Sequence, residues 1–235
     1  MIVQLNSRSI SFPPPATALH EPNGLLAVGG DLSPARLMHA YRQGIFPWFG
    51  ADDPILWWSP DPRAVFLPDS IHCSKSLRKA LRKENWRVTI NRNFALVVQA
   101  CAEIRSDQEG TWITDTMKDA YQQLHQLGNA HSVEVWLDGQ LVGGLYGIAV
   151  GRAFCGESMF HRYTNASKVA LKVFAEHFAA AGGLLIDCQV SNPHLTSLGA
   201  CEIDRDSFLN RLQLAAQQQM PQDFWITRQL PQVAL

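Results

Sequence analysis

The chain has 235 residues, of which 46% are hydrophobic and 17% are charged. This composition is typical of a folded globular protein and excludes an intrinsically disordered one. Lys and Arg number 20 against 21 Asp and Glu, a formal charge of -1, so no overall positive field attracts nucleic acid or anionic lipid, and a polyanion partner must bind a local patch.

The N-terminal residues indicate neither export nor a membrane anchor. They lack a basic segment followed by an apolar core, and no apolar run approaches the roughly 18 residues of a membrane span. The five cysteines are widely spaced, without a CxxC pair or zinc-ligand spacing, which favours reduced thiols. We therefore expect a cytoplasmic protein with no membrane association and no metal ion.

Residues 1–63 predict a small N-terminal domain rich in proline and glycine. Most of the chain's prolines lie here, together with turn signals such as Asn23-Gly24. One helix is indicated, because Ser33 can cap its start, Pro34 suits its first turn and Gly44 can end it.

Residues 64–235 predict a larger domain of regular elements. We expect a strand at 64–67, a helix capped by Ser74, a strand at 87–90, a helix at about 93–103 and a helix capped by Thr114.

The clearest strand signal follows. Apolar and polar residues alternate over 132–137, and Asp138-Gly139 is a favoured two-residue hairpin turn. Residues 140–150 would then form the second strand of the hairpin, and Gly151-Arg152 would turn the chain into a third strand that begins at Ala153. A three-stranded antiparallel meander is therefore predicted. A helix at about 165–181, a buried strand at 184–188 and a helix at about 206–218 complete the chain.

This order of elements predicts an α+β fold with a mixed, mainly antiparallel sheet flanked by helices. It resembles the acyltransferase (GNAT-like) architecture shared by acetyltransferases and peptidoglycan-bridge aminoacyl transferases. A fold resemblance alone does not give function.

Two carboxylates end apolar segments of this predicted sheet, Glu157 and Asp187, and Gln189 follows the second. A charge at a buried strand end needs a partner, a ligand or a substrate. If the strands are adjacent, the three side chains can hold an amine and steer its proton. The alternative is that the carboxylates cap helices or pair with Lys168 or Arg162.

The predicted helix after Ser74 is strongly basic, and no acidic residue interrupts its cations. A solvated helix face is one explanation, but salt bridging along the helix is not, so a phosphate backbone is the other candidate partner. The cations are Lys75, Arg78, Lys79, Arg82 and Lys83.

Four tryptophans lie in predicted loops: Trp48, Trp57, Trp58 and Trp112. They can plug the core of a small domain, or stack on a base or line a ligand pocket. We expect one or two of them to be functional.

Several enzyme signatures are missing from the sequence. It contains no GxxxxGK[ST] phosphate loop, no GxGxxG after a strand, no GxSxG elbow and no HExxH. In an acetyl-CoA enzyme of this fold, a glycine-rich loop that binds the pyrophosphate follows the meander and leads into the next helix. Residues 162–167 occupy that place here and contain no glycine. We therefore expect an acyl donor other than coenzyme A, and no cofactor.

Several long motifs occur along the chain in a characteristic order: residues 21–32 (EPNGLLAVGGDL), 44–49 (GIFPWF), 57–63 (WWSPDPR), 110–114 (GTWIT), 154–160 (FCGESMF) and 186–189 (IDCQ). By these motifs the chain resembles, over nearly its whole length, the leucyl/phenylalanyl-tRNA–protein transferase family. The departures are slight, with Leu145 in place of Met and His161 in place of Ser.

The resemblance implies an enzyme that moves Leu or Phe, and Met less readily, from aminoacyl-tRNA to the α-amine of proteins that begin with Arg or Lys. The product then enters N-end rule degradation. It implies no cofactor, and we expect a monomer. Within that activity, Asp187 is expected to orient Gln189 and stabilise the developing ammonium, Gln189 to contact the attacking amine, and Glu157 to hold the cationic end of the acceptor.

Substrate contacts are expected at three further places. The donor side chain would enter an apolar pocket, Trp48 and Trp112 would flank the terminal adenosine, and the basic helix would receive acceptor-stem phosphates. The pocket residues are Leu145, Phe154, Gly156, Met159, Phe174 and Ile186.

Two other functions stay open on the residues alone. A coenzyme A-dependent N-acetyltransferase would bind acetyl-CoA. A non-catalytic RNA-binding module would bind charged and uncharged tRNA equally, and would not explain carboxylates at strand ends, since they repel phosphate.

Overall fold

The computed structural model describes residues 2–83, 85–106 and 112–231. Within these residues the strands form two sheets, one of four strands and one of eight. Gly110 and Thr111, which belong to one family motif, lie outside the described residues. No helix in the described part of the chain is long and apolar enough to cross a membrane.

The smaller sheet is built from the N-terminal part of the chain, in the order β1-β2-β4-β3. Its strands are β1 (Val3–Leu5), β2 (Leu25–Gly29), β3 (Phe46–Pro47) and β4 (Leu56–Trp58), and α1 (Pro34–Arg42) connects β2 to β3. The predicted helix is confirmed, since the Ser33 hydroxyl accepts a hydrogen bond from the Arg36 backbone N–H and Pro34 opens the first turn. The sheet was not predicted because its short strands show no alternation.

The larger sheet has the order β11-β5-β10-β9-β8-β7-β6-β12. Its strands are β5 (Arg63–Phe66), β6 (Arg87–Ile90), β7 (Ala130–Leu137), β8 (Gln140–Val150), β9 (Ala153–His161), β10 (Leu185–Gln189), β11 (Cys201–Ile203) and β12 (Arg228–Gln229). The helices are α2 (Lys75–Lys83), α3 (Phe94–Ser106), α4 (Asp115–Gln126), α5 (Ala166–Ala180), α6 (Pro193–Ser197) and α7 (Arg205–Ala216).

The predicted meander is confirmed as β7, β8 and β9, with antiparallel pairing throughout. Asp138 and Gly139 both have positive φ, at 49° and 79°, as a primed two-residue turn requires. The α+β class and the mixed, mainly antiparallel sheet flanked by helices are likewise confirmed, since β9 and β10 run parallel and the other neighbours in this sheet run antiparallel. The short elements α6, β11 and β12 were not predicted.

Apolar side chains cover both faces of the larger sheet. On one face, Tyr146 of β8 and Cys155 of β9 pack against α1, α3, α4 and α7. On the other face, Leu145 and Phe154 pack against α5 and the C-terminal segment. The first cluster also contains buried residues of the smaller sheet, such as Trp57. The division into domains of 1–63 and 64–235 stays a prediction.

The parallel pair β9 and β10 separates part of the way along β9. Their pairing ends at Cys155 and Asp187, whereas β9 continues to His161. Beyond Asp187, β10 keeps its pairing with β5, through Gln189 and Ala64, but no longer pairs with β9. A gap therefore opens between β9 and β10 beside Glu157, which is the extra residue of an irregularity between Ser158 and Gly156.

The irregularity in β8 and β9 requires glycine at position 147. A Cβ atom there would overlap the carbonyl oxygen of Cys155 and the ring of Phe154, whereas a Cβ at Gly156 would lie 3.5 Å from the nearest atom, the carbonyl oxygen of Asp187. We expect Gly147→Ala to lower the free energy of unfolding by about 1–3 kcal/mol, and Gly156→Ala to change it little. Urea denaturation of both variants tests this, and equal effects would contradict it.

Candidate functional site

A buried ion pair lies where β10 leaves β9. Arg63, the first residue of β5, donates from Nε to Asp187 Oδ1 at 2.8 Å and from Nη2 to Oδ2 at 2.7 Å. Both side chains are 1% exposed. This bidentate arrangement satisfies the carboxylate charge, which would otherwise be very costly at this depth.

Arg63 also connects this pair to the N-terminal part of the chain. Its Nη1 donates to the Gly44 carbonyl oxygen at 3.1 Å, and its guanidinium lies over the rings of Phe46 and Phe208 at 4.8 and 4.5 Å. Arg63 was not among the residues predicted to act in the site. The available signal was an arginine opening an otherwise apolar strand, where a buried charge needs a partner.

Asp187 holds the backbone of Gln189. Its Oδ1 accepts a hydrogen bond from the Gln189 N–H at 2.9 Å. Gln189 has a φ of 66°, which is uncommon for a residue other than glycine, and the pairing of β10 with β5 is irregular between the two residues. The regular alternation of a strand, which would place Asp187 and Gln189 on one face, is therefore interrupted between them.

The side chain of Gln189 crosses the gap to β9. Its Nε2 donates to Glu157 Oε1 at 2.8 Å. The second oxygen of Glu157 accepts from the Tyr121 hydroxyl at 2.5 Å, and the Tyr41 hydroxyl lies 3.0 Å from that of Tyr121. The structure thus brings together Glu157, Asp187 and Gln189, as the sequence predicted, and adds two tyrosines.

The two carboxylates lie in different electrostatic surroundings. Asp187 is paired with a guanidinium, whereas Glu157, only 7% exposed, receives hydrogen bonds from neutral donors. Burial raises the pKa of Glu157 to about 7, although hydrogen bonds from Tyr121 and Tyr41 act in the opposite direction. Glu157 is therefore poised to change charge near neutral pH.

The alternative partners proposed for these carboxylates are not used in the described part of the chain. Arg162 pairs with Glu103 at 2.8 Å, and no ion pair there joins Lys168 to either carboxylate. The helix-capping side chains found among the described residues belong to other positions, such as Thr114, Asn192 and Asp204.

The residues expected to form the donor pocket lie on the α5 face of the sheet. Phe154 and Phe174 pack with their ring centroids 4.6 Å apart, and Ile186 pairs with Phe154 across β9 and β10. Leu145 pairs with Met159 across β8 and β9. The more accessible members, Gly156 and Met159, are partly buried beside the gap, and the other four are buried.

Trp225 packs beside the predicted pocket residues, although it was not predicted to be one of them. Its ring lies 5.8 Å from that of Phe154 and 6.1 Å from that of Phe174, and it stacks on His131 at 3.8 Å. It lies after α7, in a segment without a periodic pattern of apolar residues. The only sequence signal that it is partly buried was that it is a large aromatic residue.

The loop tryptophans differ in accessibility. Trp48 is 47% exposed, and Trp58 donates from Nε1 to the Trp48 carbonyl oxygen at 2.7 Å. Trp112 is partly buried against the core cluster of the α1, α3, α4 and α7 face. Trp57 is fully buried. Trp48 therefore has the exposure that stacking on a base requires, and Trp57 is a core residue.

The basic helix α2 presents its cations to solvent. Lys75, Arg78, Lys79 and Arg82 are exposed and line one surface hollow of about 440 Å³. Among the described residues none of these four is in an ion pair. The side chain of Lys83 lies outside the described part. The hollow offers concentrated positive charge, as a phosphate-binding surface requires.

Comparison with known proteins points to one family. A model of leucyl/phenylalanyl-tRNA protein transferase matches residues 65–213, and a model of that family's N-terminal domain matches residues 30–61. The chain is 68% identical over 231 residues to the leucyl/phenylalanyl-tRNA–protein transferase of Idiomarina loihiensis, covering 98% of each protein. It is 57% identical over 227 residues to that of Escherichia coli O157:H7, covering 97% of this chain and 96% of the relative.

Similarity to solved structures is distant. A functionally unknown conserved protein from Staphylococcus epidermidis matches 77% of this chain and 68% of its own length, with 10% identity and a TM-score of 0.43. The structure of L-PGS from Bacillus licheniformis matches 71% of this chain and 53% of its own, with 14% identity and a TM-score of 0.36. Both TM-scores are too low to support a statement about fold or function.

The buried ion pair predicts strong energetic coupling. Arg63→Met leaves Asp187 buried without its cation and should lower the free energy of unfolding by about 3–5 kcal/mol. Asp187→Leu should have a comparable effect through the unpaired guanidinium. The double variant should lose clearly less free energy of unfolding than the two single losses added together, because it contains no buried charge without a partner. Chemical denaturation of the four proteins measures this, and additive effects would disprove the coupling.

Proposed function

This chain belongs to the leucyl/phenylalanyl-tRNA–protein transferase family, and we propose that it moves Leu or Phe, and Met less readily, to proteins that begin with Arg or Lys. The donor is the aminoacyl-tRNA, and the acceptor is the N-terminal α-amine. The observation that carries this proposal is the 68% identity over 98% of both chains. The modified protein would carry an N-terminus that directs it to degradation in the cytoplasm.

The reaction demands positioning more than acid or base strength. The ester of an aminoacyl-tRNA is already activated, and an α-amine with a pKa of about 7.7–8.0 is partly neutral at cellular pH. Holding the amine against the ester carbonyl therefore supplies most of the acceleration. The rigid contacts around Gln189 suit this requirement.

In the proposed step, the neutral amine attacks the ester carbonyl carbon. A C–N bond forms, the C–O bond to the ribose of the terminal adenosine breaks, and the proton lost by nitrogen ends on the released ribose hydroxyl. Gln189 contacts the attacking amine, since its Nε2 is occupied by Glu157 and its carbonyl oxygen remains able to accept an N–H.

The two carboxylates act on either side of Gln189. Asp187 fixes the Gln189 backbone, and at 1% exposed it stabilises the developing ammonium through Gln189 rather than by direct contact. Glu157 fixes the Gln189 side chain. Because each carboxylate oxygen has two lone pairs, Glu157 Oε1 can also accept from the cationic end of the acceptor.

We assign the donor's side chain to the gap between β9 and β10. There Gly156 and Met159 are partly accessible, and buried Leu145, Phe154 and Phe174 lie behind them. An apolar site of this kind accepts Leu, Phe or Met and discriminates against polar side chains by desolvation. Trp48 and Trp112 would flank the terminal adenosine by stacking.

The basic helix is the proposed site for acceptor-stem phosphates. We expect Lys79→Glu/Arg82→Glu to raise the KM for leucyl-tRNA at least tenfold and to flatten the dependence of binding on salt, because fewer counterions are released. The matched control is Arg42→Glu/Arg211→Glu, which reverses two exposed charges on α1 and α7. The assignment is withdrawn if both variants change KM equally.

The activity itself is tested with radiolabelled leucyl-tRNA. A protein that begins with Arg should become labelled, and an otherwise identical protein that begins with Ala should not. Charged tRNA should also bind more tightly than uncharged tRNA, because the donor side chain adds apolar contact. If the protein bound both tRNAs equally and labelled no acceptor, the RNA-binding module would be favoured. If it acted on acetyl-CoA and not on leucyl-tRNA, the acetyltransferase would be favoured.

A further inference from the structure

A chain of hydrogen bonds runs from α1 through α4 to the site. It links the hydroxyls of Tyr41 and Tyr121 to Glu157, and Glu157 to the side-chain amide of Gln189. Both tyrosines are fully buried, and burial raises the pKa of each hydroxyl well above its usual value. The two hydroxyls therefore stay protonated and can act as donors at any physiological pH.

The direction of each hydrogen bond follows from the number of protons. Tyr121 has a single hydroxyl proton, and the Tyr121 oxygen lies 2.5 Å from Glu157 Oε2, so the proton is donated to that carboxylate. The oxygen of Tyr121 then accepts from Tyr41 at 3.0 Å. An ionised Glu157 donates nothing, so at Oε1 it must accept from the NH₂ end of Gln189.

This directionality decides which end of the Gln189 amide is available to a substrate. With Glu157 ionised, the amide carbonyl is left over, and it can accept an N–H from an amine. With Glu157 protonated, the carboxyl group can donate to the amide carbonyl instead, and Gln189 would present its NH₂ end. An NH₂ group cannot accept a proton from an attacking amine, so only the first arrangement suits the transfer.

We propose that Tyr121, supported by Tyr41, is a positioning residue for the transfer reaction: it favours ionised Glu157 and so keeps the carbonyl oxygen of Gln189 directed at the attacking amine. This rests on the proposed function. The groups that face Glu157 are the hydroxyls of Tyr121 and Tyr41, the carboxylate of Asp187, the amide of Gln189 and, on its own strand, the thiol of Cys155.

These surroundings leave Glu157 sensitive to the loss of one donor. Arg63, the neighbouring cation, is engaged by Asp187, and the Asp187 charge itself raises the pKa of Glu157. The tyrosine hydroxyls and the Gln189 amide are the groups that lower it. Because burial already brings that pKa to about 7, a further rise makes most of Glu157 neutral at cellular pH.

The test is the pH profile of single-turnover transfer from pre-bound leucyl-tRNA to a peptide that begins with Arg. In the wild type the rate should rise with pH as Glu157 ionises. Tyr121→Phe removes the direct donor and should move the midpoint to higher pH by about one unit. The ionised fraction of Glu157 at pH 7 then falls from about one half to about one tenth, which lowers the rate there roughly fivefold. The titration of the attacking amine is the same in all variants and cancels in the comparison.

Tyr41→Phe and Tyr163→Phe serve as companion variants. Tyr41→Phe keeps the Tyr121 donor but removes the bond that supports it, so it should give a smaller shift in the same direction, and it provides the test if Tyr121→Phe does not fold. Tyr163→Phe removes an exposed hydroxyl away from the network and should not move the midpoint. Unmoved midpoints in both network variants, or equal shifts in all three, would overturn the proposal.

A second measurement does not depend on transfer. The infrared carboxyl band of Glu157, identified by its loss in Glu157→Gln, can be titrated in the free protein. Its midpoint should rise in Tyr121→Phe and, by less, in Tyr41→Phe. If the wild type transfers no amino acid, the proposed function fails but this titration still tests the network, and an unchanged midpoint overturns the inference.

Discussion

The bidentate pair between Arg63 and Asp187 is the constraint on which the rest of the site depends. It lies in the interior, at the strand where the larger sheet changes from antiparallel to parallel pairing. The same guanidinium reaches the loop after α1 and two aromatic rings. One side chain thereby joins the N-terminal part of the chain, β5 and β10. An unpaired charge at this depth is so costly that the three parts are held in one arrangement.

The buried pair also fixes the position of Gln189, which is more accessible to solvent. Asp187 holds its backbone in an uncommon left-handed conformation, and Glu157 holds its side chain across the gap between β9 and β10. Each contact removes one degree of freedom from the amide. The proposed reaction, between an activated ester and a partly neutral amine, would gain mainly from such preorganisation.

The chain's regular elements could be predicted from the sequence, because periodicity and turn chemistry are local. Ser33 and Thr114 cap helices as expected, and Asp138-Gly139 forms the predicted turn. Glu157, Asp187 and Gln189 could be singled out as costly polar residues after apolar runs, but the expectation that Glu157 ends its strand was wrong, because β9 continues past it to His161. The pairing of Arg63 with Asp187 could not be predicted, because it spans 124 positions. The irregular strand at Gln189 could not be predicted either, since alternation predicts a regular strand.

Tyr41 and Tyr121 illustrate the same limit. Each lies on the apolar face of its helix, where an aromatic ring is expected in the core. Their hydroxyls reach a hydrogen-bond partner only because α1 and α4 pack beside β9. A polar group on a buried face signals that a partner is required, but the partner's identity depends on the fold.

The most direct measurement of the central claim is the single-turnover rate of Gln189→Ala with leucyl-tRNA already bound, together with the Kd for that tRNA. If the buried carboxylates exist to direct the Gln189 amide, removing the amide should lower the rate about 100-fold or more and leave the Kd unchanged. A rate equal to that of the wild type, or a loss explained wholly by weaker tRNA binding, would contradict the account.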